Sequence, residues 1–293
     1  MILLEQELSQ IKIDECLKTI EYDATYNDNI VKVRLFFIPF RDSCIDTVSL
    51  LKLIKDHIIT NFVISYSEIR KHYKRKDKVL AARDLYDKAI RKITRGTAKG
   101  KIGELLLYLF LEKVFSAPKI ISKIASLDDS NTHVKGADAV HAQYLEGNLV
   151  LYLGESKLWK RYGDACSDAV KSIETTLGDF QGEFDLIETN IDFPNIDEAL
   201  ETEIISILHP YNKKAFDIHT PCLIGFDSSI CKGVSSEEDY KTKYIAVAQN
   251  KIDIFYGKAA ATLDIDKITL ILLPFESIDS FTEQFIEVTG IGS

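Results

Sequence analysis

The chain has 293 residues, 46% of them hydrophobic and 28% charged, which excludes disordered, collagen-like and low-complexity classes. Thirty-six Lys and Arg against 45 Asp and Glu give a formal charge of −9, which argues against a histone-like coat of positive charge. A locally basic nucleic-acid site remains compatible with that total.

The five cysteines (Cys16, Cys44, Cys166, Cys222 and Cys231) form no Cys-x-x-Cys pair and read as reduced thiols. MILLEQELSQ at the N-terminus lacks the basic flank of a signal peptide. No apolar run reaches the roughly 18 residues of a membrane span. The expectation is a soluble, cytoplasmic protein without membrane segments.

IVKVRLFFIPF (30–40) predicts a strand, and the spacing of Leu50, Leu51, Leu53, Ile54, Ile58 and Ile59 a helix after Asp46. A second helix is expected over 78–94, with Val79, Ala82, Leu85, Tyr86, Ala89 and Ile93 on one face. RGTAKGKIGELLLYLFLEKVF (95–115) reads as a flexible basic entry into a buried helix from about Lys101 to Phe115. Three strands are expected next, at 118–127, 136–145 and 148–158, with a tight turn at Glu146-Gly147-Asn148. Helices at 164–180, near 196–207 and around 237–260, and strands at 221–227 and 267–275, complete the chain. The expected architecture is α/β: a mixed sheet flanked by helices, with an N-terminal α/β region (1–92) attached to a second unit (93–293).

Chemistry gathers on the middle strands. Glu155 and Lys157 alternate around Ser156, so they share one face of their strand. If the turn is tight, opposing positions sum to about 294. Asp138 then lies opposite Ser156, and a bulge would bring it to the face of Glu155 and Lys157. Two adjacent carboxylates repel unless a cation bridges them, and hard oxygen ligands suit Mg²⁺ or Mn²⁺. A neighbouring lysine can orient a water and offset phosphate charge. The bland reading is a pair of solvated strand ends. Against it, Leu149–Leu153 is apolar on both faces, so the charged triplet emerges from a buried strand. Glu104, near the start of the apolar helix, is a third acid beside that sheet; its bland reading is a helix-start acid favoured by the dipole.

Gly103-Glu104-Leu105, Gly136-Ala137-Asp138 and Gly154-Glu155-Ser156-Lys157 resemble the core motifs of the PD-(D/E)XK, or restriction-endonuclease-like, nucleases. The helix, three-strand, helix, strand order of 101–227 is similar to that fold. Ala137 stands where the nominal proline would be. Within the superfamily, KGKIGELLLYLFLE, HVKGADAVHAQ and LYLGESKLWKRYGDACSDAVKSI look most similar to the nuclease subunit of the Hachiman anti-phage defence system, over about 90–275. The resemblance implies Asp138 and Glu155 as divalent-metal ligands, Lys157 as the catalytic lysine and Glu104 as a supporting metal-site acid. It also implies DNA as substrate and a helicase subunit as partner. The rival is a nuclease-like fold retired from catalysis, which binds nucleic acid and regulates its partner. A third reading is a regulatory α/β protein whose charged strand ends are incidental.

Residues 70–101 hold 13 Lys or Arg against three acids, which leaves −19 on the rest of the chain. Such segregation suits a phosphate backbone or an acidic partner, or a solvated helix face. Arg95, Lys99 and Lys101, with Lys160 and Arg161 just past the triplet, are the expected nucleic-acid contacts. Trp159 is expected to pack in the core or a loop, with base stacking as its alternative. His219, Cys222 and Cys231 lack a fourth ligand at zinc spacing, and His133 and His141 read as strand-face histidines. There is no Gly-x-Ser-x-Gly elbow and no phosphate-binding Walker loop, so any ATP-driven step belongs to a partner.

Overall fold

A computed structural model of the chain describes residues 10–41, 44–120, 136–145, 148–179, 202, 206, 217–234 and 236–292. In chain order these give α1 (Gln10–Cys16), β1 (Lys18–Ile20), the small pair β2 (Thr25–Tyr26) and β3 (Asn29–Ile30), and β4 (Lys32–Phe37). A second small pair, β5 (Phe40–Arg41) and β6 (Cys44–Ile45), leads into α2 (Thr47–Leu53). A π-helical turn (Ile54–Ile58) joins α2 to α3 (Ile59–Val63). Then come α4 (Tyr66–Arg75), α5 (Lys78–Arg91), α6 (Ala98–Lys113), β7 (Ala139–Leu145), β8 (Asn148–Trp159) and α7 (Tyr162–Gly178). β9 (Asp217–Asp227), α8 (Glu237–Ala259), β10 (Ile268–Phe275) and α9 (Ile278–Thr289) follow.

Six strands form one mixed sheet in the order β1-β4-β10-β9-β8-β7. The four inner strands run parallel, and β1 and β7 close the edges antiparallel. Parallel strands are buried on both faces and so read as continuous apolar runs. β10 (ITLILLPF) is buried at every position, and β8 from Leu149 through Ser156. One face packs α2, α3, α5, α6 and α9 in a core that reaches from Ile13 to Ile291; the other packs α7 and α8. Thus β4, from the first 92 residues, hydrogen-bonds to β10 near the C-terminus.

The expected mixed α/β sheet is present, with corrections in detail. On α5 the buried line is Ala81, Leu85 and Ala89, while Val79 and Ala82 are exposed. That line is the i, i+4 row, which the α4 side and core contacts select over the broader face. The expected strand at 118–127 reduces, among described residues, to one bridge between Lys119 and His141; 121–127 lie outside them. Of the helix expected near 196–207, only 202 and 206 are described, and both are helical. No helix of the described residues is long and apolar enough to cross a membrane.

Two glycines set how closely α6 crosses β8. A Cβ on Gly154 would lie 2.9 Å from Leu107 Cδ2, and one on Gly103 3.0 Å from Ser156 Oγ. A side chain at either position would push Leu107 or Ser156 aside, so glycine lets the helix and strand approach closely. The helix that carries Glu104 therefore lies directly on the strand that carries the triplet.

Candidate active site

β7 and β8 pair with Ala139 opposite Gly154 and Leu145 opposite Asn148. This is one residue off the expected register, because the strands extend to Leu145 and Asn148 and leave a two-residue connection. The ladder ends at Ala139, and Asp138 lies one residue before it, close enough to repel Glu155. Gly136 adopts φ 122°, a value that favours glycine, as the chain enters β7. The Asp138 N–H then donates to the Gly154 carbonyl at 2.8 Å. In return, the Asp138 carboxylate accepts from Ser156 N and Ser156 Oγ, both at 2.9 Å.

Glu155 and Lys157 point to the α7 face, as their alternation requires, whereas Ser156 faces α6. Lys157 Nζ lies 2.7 Å from Glu155 Oε1 and 3.4 Å from Asp168 Oδ2 on α7. Ser172, one turn further along α7, pulls the Glu155 carboxyl down slightly against its burial. Glu155 is only 4% exposed. A cavity of about 10 Å³ lies against it, walled by Ala137, Leu153, Ile173, Thr176 and Thr220, close to the minimum space for one water.

Burial, followed by repulsion from Asp138, pushes the Glu155 carboxyl up to about 8, against the opposing pull of Lys157. Burial alone would lower Lys157, but Glu155, Asp138 and Asp168 outweigh it and raise the ammonium above its usual range. One cation thus sits among three carboxylates, an excess of negative charge that a divalent ion would offset. The donors suit Mg²⁺ or Mn²⁺: two carboxylates are sufficient protein ligands for an ion that keeps several waters. Among the described residues, no three His, Cys, Asp or Glu side chains group as a metal cage, so Glu104 does not complete one with Asp138 and Glu155. Glu104 lies on α6, both oxygens 2.7 Å from Lys101 Nζ. It is the one position of 102–111 that is not buried.

A family model described as HamA matches residues 12–288, nearly the whole chain. The chain belongs to the HamA family. It is a component of the Hachiman anti-phage defence system. No individually curated protein matches it.

In this HamA-family chain the expected nucleic-acid contacts are all ion-paired. Arg95 meets Glu283 at 3.4 Å, Lys101 meets Glu104, and Arg161 meets Asp164 at 3.3 Å. Asp279 serves two lysines, Lys160 at 2.6 Å and Lys99 at 3.7 Å. The carboxylates on α9, Asp279 and Glu283, thus occupy the place expected for phosphates. Trp159, expected in the core or a loop, is 43% exposed and so outside the core. A sheet-end position, the last of β8, leaves it beside solvent.

Cys222 is buried on β9 directly across from Glu155, whereas His141 lies away from the triplet. His141 is buried, with Nδ1 2.7 Å from the Ala117 carbonyl and its ring on Tyr108, and burial lowers it to about 3. His133 lies outside the described residues. His219 and Cys222 fall on opposite faces of β9 by alternation.

Sequence reading missed Asp168 and Ser172. Their signal is an i, i+4 polar pair on the α7 face that otherwise buries Ala165, Ala169 and Ile173.

Proposed function

We propose that this chain is the metal-dependent nuclease effector of its Hachiman system, hydrolysing DNA phosphodiester bonds in the cytoplasm under the control of a helicase partner. The observation that carries this reading is the ion pair of buried Glu155 with half-buried Lys157 beside Asp138. Asp138 and Glu155 would hold Mg²⁺ or Mn²⁺. When bound, the ion would supply Lewis-acid charge at the phosphate and lower the pKa of a bound water. Lys157 offers its ammonium to the scissile phosphate and orients the attacking water, while Glu155 and Asp168 hold that ammonium charged. Ser156, donating twice to Asp138, keeps one carboxylate oxygen engaged and aims the other. The apolar casing around Glu155 strengthens each of these interactions.

One observation favours the rival reading of a catalytically silent subunit that binds nucleic acid and regulates its partner. The five expected DNA contacts all lie against carboxylates, four acids for five cations, as suits a surface not held ready for phosphates. Purified protein with supercoiled plasmid, in Mg²⁺ or EDTA, alone and with the neighbouring gene's product and ATP, separates the two. Mg²⁺-dependent nicking that the partner alters supports the controlled effector. Nicking at full rate without any partner effect leaves a free-standing nuclease, and no nicking in any combination selects the silent subunit.

A further inference from the structure

We infer that Asp168 of α7 is a positioning residue of the nuclease site, for the Lys157 ammonium. The inference rests on the nuclease reading above and names the second wall of that site.

The geometry is a match of two periods. Strand residues two apart are separated by about 6.6 Å, and helix residues four apart rise by about 6 Å. α7 begins two residues after β8 ends and packs back along it, so the two rows run antiparallel. Lys157 therefore meets Asp168, and Glu155 lies one turn further along, beside Ile173 and Thr176. Between these rungs, Ala169 and Ile173 are buried against the sheet and fix the rotation of α7.

Lys157 is 2.7 Å from Glu155 on the inner side and 3.4 Å from Asp168 on the outer side. Asp168 is half-exposed and Glu155 buried, so the ammonium spans the boundary between the core and the site's opening. A lysine held by Glu155 alone would be drawn inward, onto the carboxylate that must also face a metal ion. Asp168 gives it a second anchor at the rim, where a phosphate would arrive. Asp164, one turn earlier on α7, is engaged by Arg161 and cannot take that place.

Asp168→Asn, Asp168→Ala and Asp168→Glu are compared with wild type for plasmid cleavage in Mg²⁺, in the presence of the helicase partner. A positioning role lowers kcat about tenfold or more in the Asn and Ala variants, leaves KM for DNA within about twofold, and is largely restored by Glu. An ordinary solvated acid gives the opposite pattern, with kcat unchanged and DNA held equally or more tightly, and that result overturns the inference.

Melting of Asp168→Asn, Lys157→Met and the double variant tests the contact without nuclease activity. Non-additive shifts support the Lys157–Asp168 contact, and additive ones overturn it. If wild type does not cut, the nuclease reading falls and takes the catalytic role with it; if wild type cuts and Asp168→Asn cuts equally, only the inference falls.

Discussion

Replacing Glu155 with Gln tests the electrostatics of the site directly. Glu155 is moved from 4.5 to about 8 by burial and by Asp138. Between those pH values the folded chain holds a proton that the unfolded chain has released. Stability contributed by this group is therefore fully present below pH 4.5, falls as pH rises towards 8, and is level above it. At about 1.4 kcal/mol per pH unit, ionisation penalises folding by about 1 kcal/mol at pH 5 and about 4 kcal/mol at pH 8. Gln removes that slope, while the loss of the Lys157 pair at 2.7 Å makes the difference of about 3 kcal/mol an upper bound.

For a chain of this size, 1 kcal/mol moves Tm by about 2 °C. Glu155→Gln should therefore melt above wild type by several degrees at pH 8, with the gap closing towards pH 5. Differential scanning fluorimetry across that range, without divalent ions, reads the effect. The same variant separates metal binding from folding: wild type should show a Mn²⁺-induced rise in Tm that grows with pH, since Glu155 must lose its proton to bind. A variant-minus-wild-type difference that is equal at pH 5 and pH 8, or that becomes negative at pH 8, would refute the reasoning. Either outcome means that Lys157 compensates Glu155 fully and that the carboxylate is ionised at neutral pH.

Lys157→Ala should lower cleavage by about 100-fold or more while circular dichroism and DNA binding stay near wild type, and full activity in a folded variant removes Lys157 from the mechanism. Asp138→Asn should leave the metal-free Tm unchanged or raised and erase the Mn²⁺ shift; a shift of wild-type size would place the ion elsewhere. Asp279→Asn combined with Glu283→Gln releases Lys99, Lys160 and Arg95 from their partners. Its DNA affinity by fluorescence anisotropy at low salt should rise, with a steeper salt dependence, and an unchanged titration would show that these cations do not meet phosphates. Gly225→Ala places a methyl against Leu158 and 2.9 Å from Phe275 Cε2 in the middle of the sheet. A loss of about 1–3 kcal/mol in urea unfolding is expected, and a neutral result would mean that Leu158 repacks freely.

The sequence announces β8, β9 and β10 because burial on both faces makes each an apolar run, and α6 because its neighbours surround it. It also announces Glu155 and Lys157, since alternation alone assigns them to one face. The register was less legible. A tight turn fixes a register only when its length is known, and one residue of difference moves Asp138 relative to Glu155 and Ser156. Short elements were lost too: β1 has three residues and joins the sheet only by pairing with β4. Asp168 and Ser172 were hidden for another reason. Polar residues on a helix flank look solvated until the strand across from them is known.

The site's chemistry follows from where the sheet changes character. β8 is the last parallel strand, with β9 on one side and the antiparallel edge strand β7 on the other. The edge position of β7 lets Asp138, just before its first residue, curl onto β8 and take both Ser156 donors. The inner position of β8 buries Glu155 beneath α7. Two carboxylates that would both be ordinary at a surface are thus held side by side, one within reach of water and one without. Ser156 donates to one of them, and the cation set against the pair is Lys157, which is shared with Asp168. A fold that wanted Glu155 and Lys157 only for cohesion would be served as well by two apolar residues of similar size. Keeping three acids around one lysine costs stability in the metal-free chain, and a divalent ion with a phosphate beside it is the charge arrangement that recovers it.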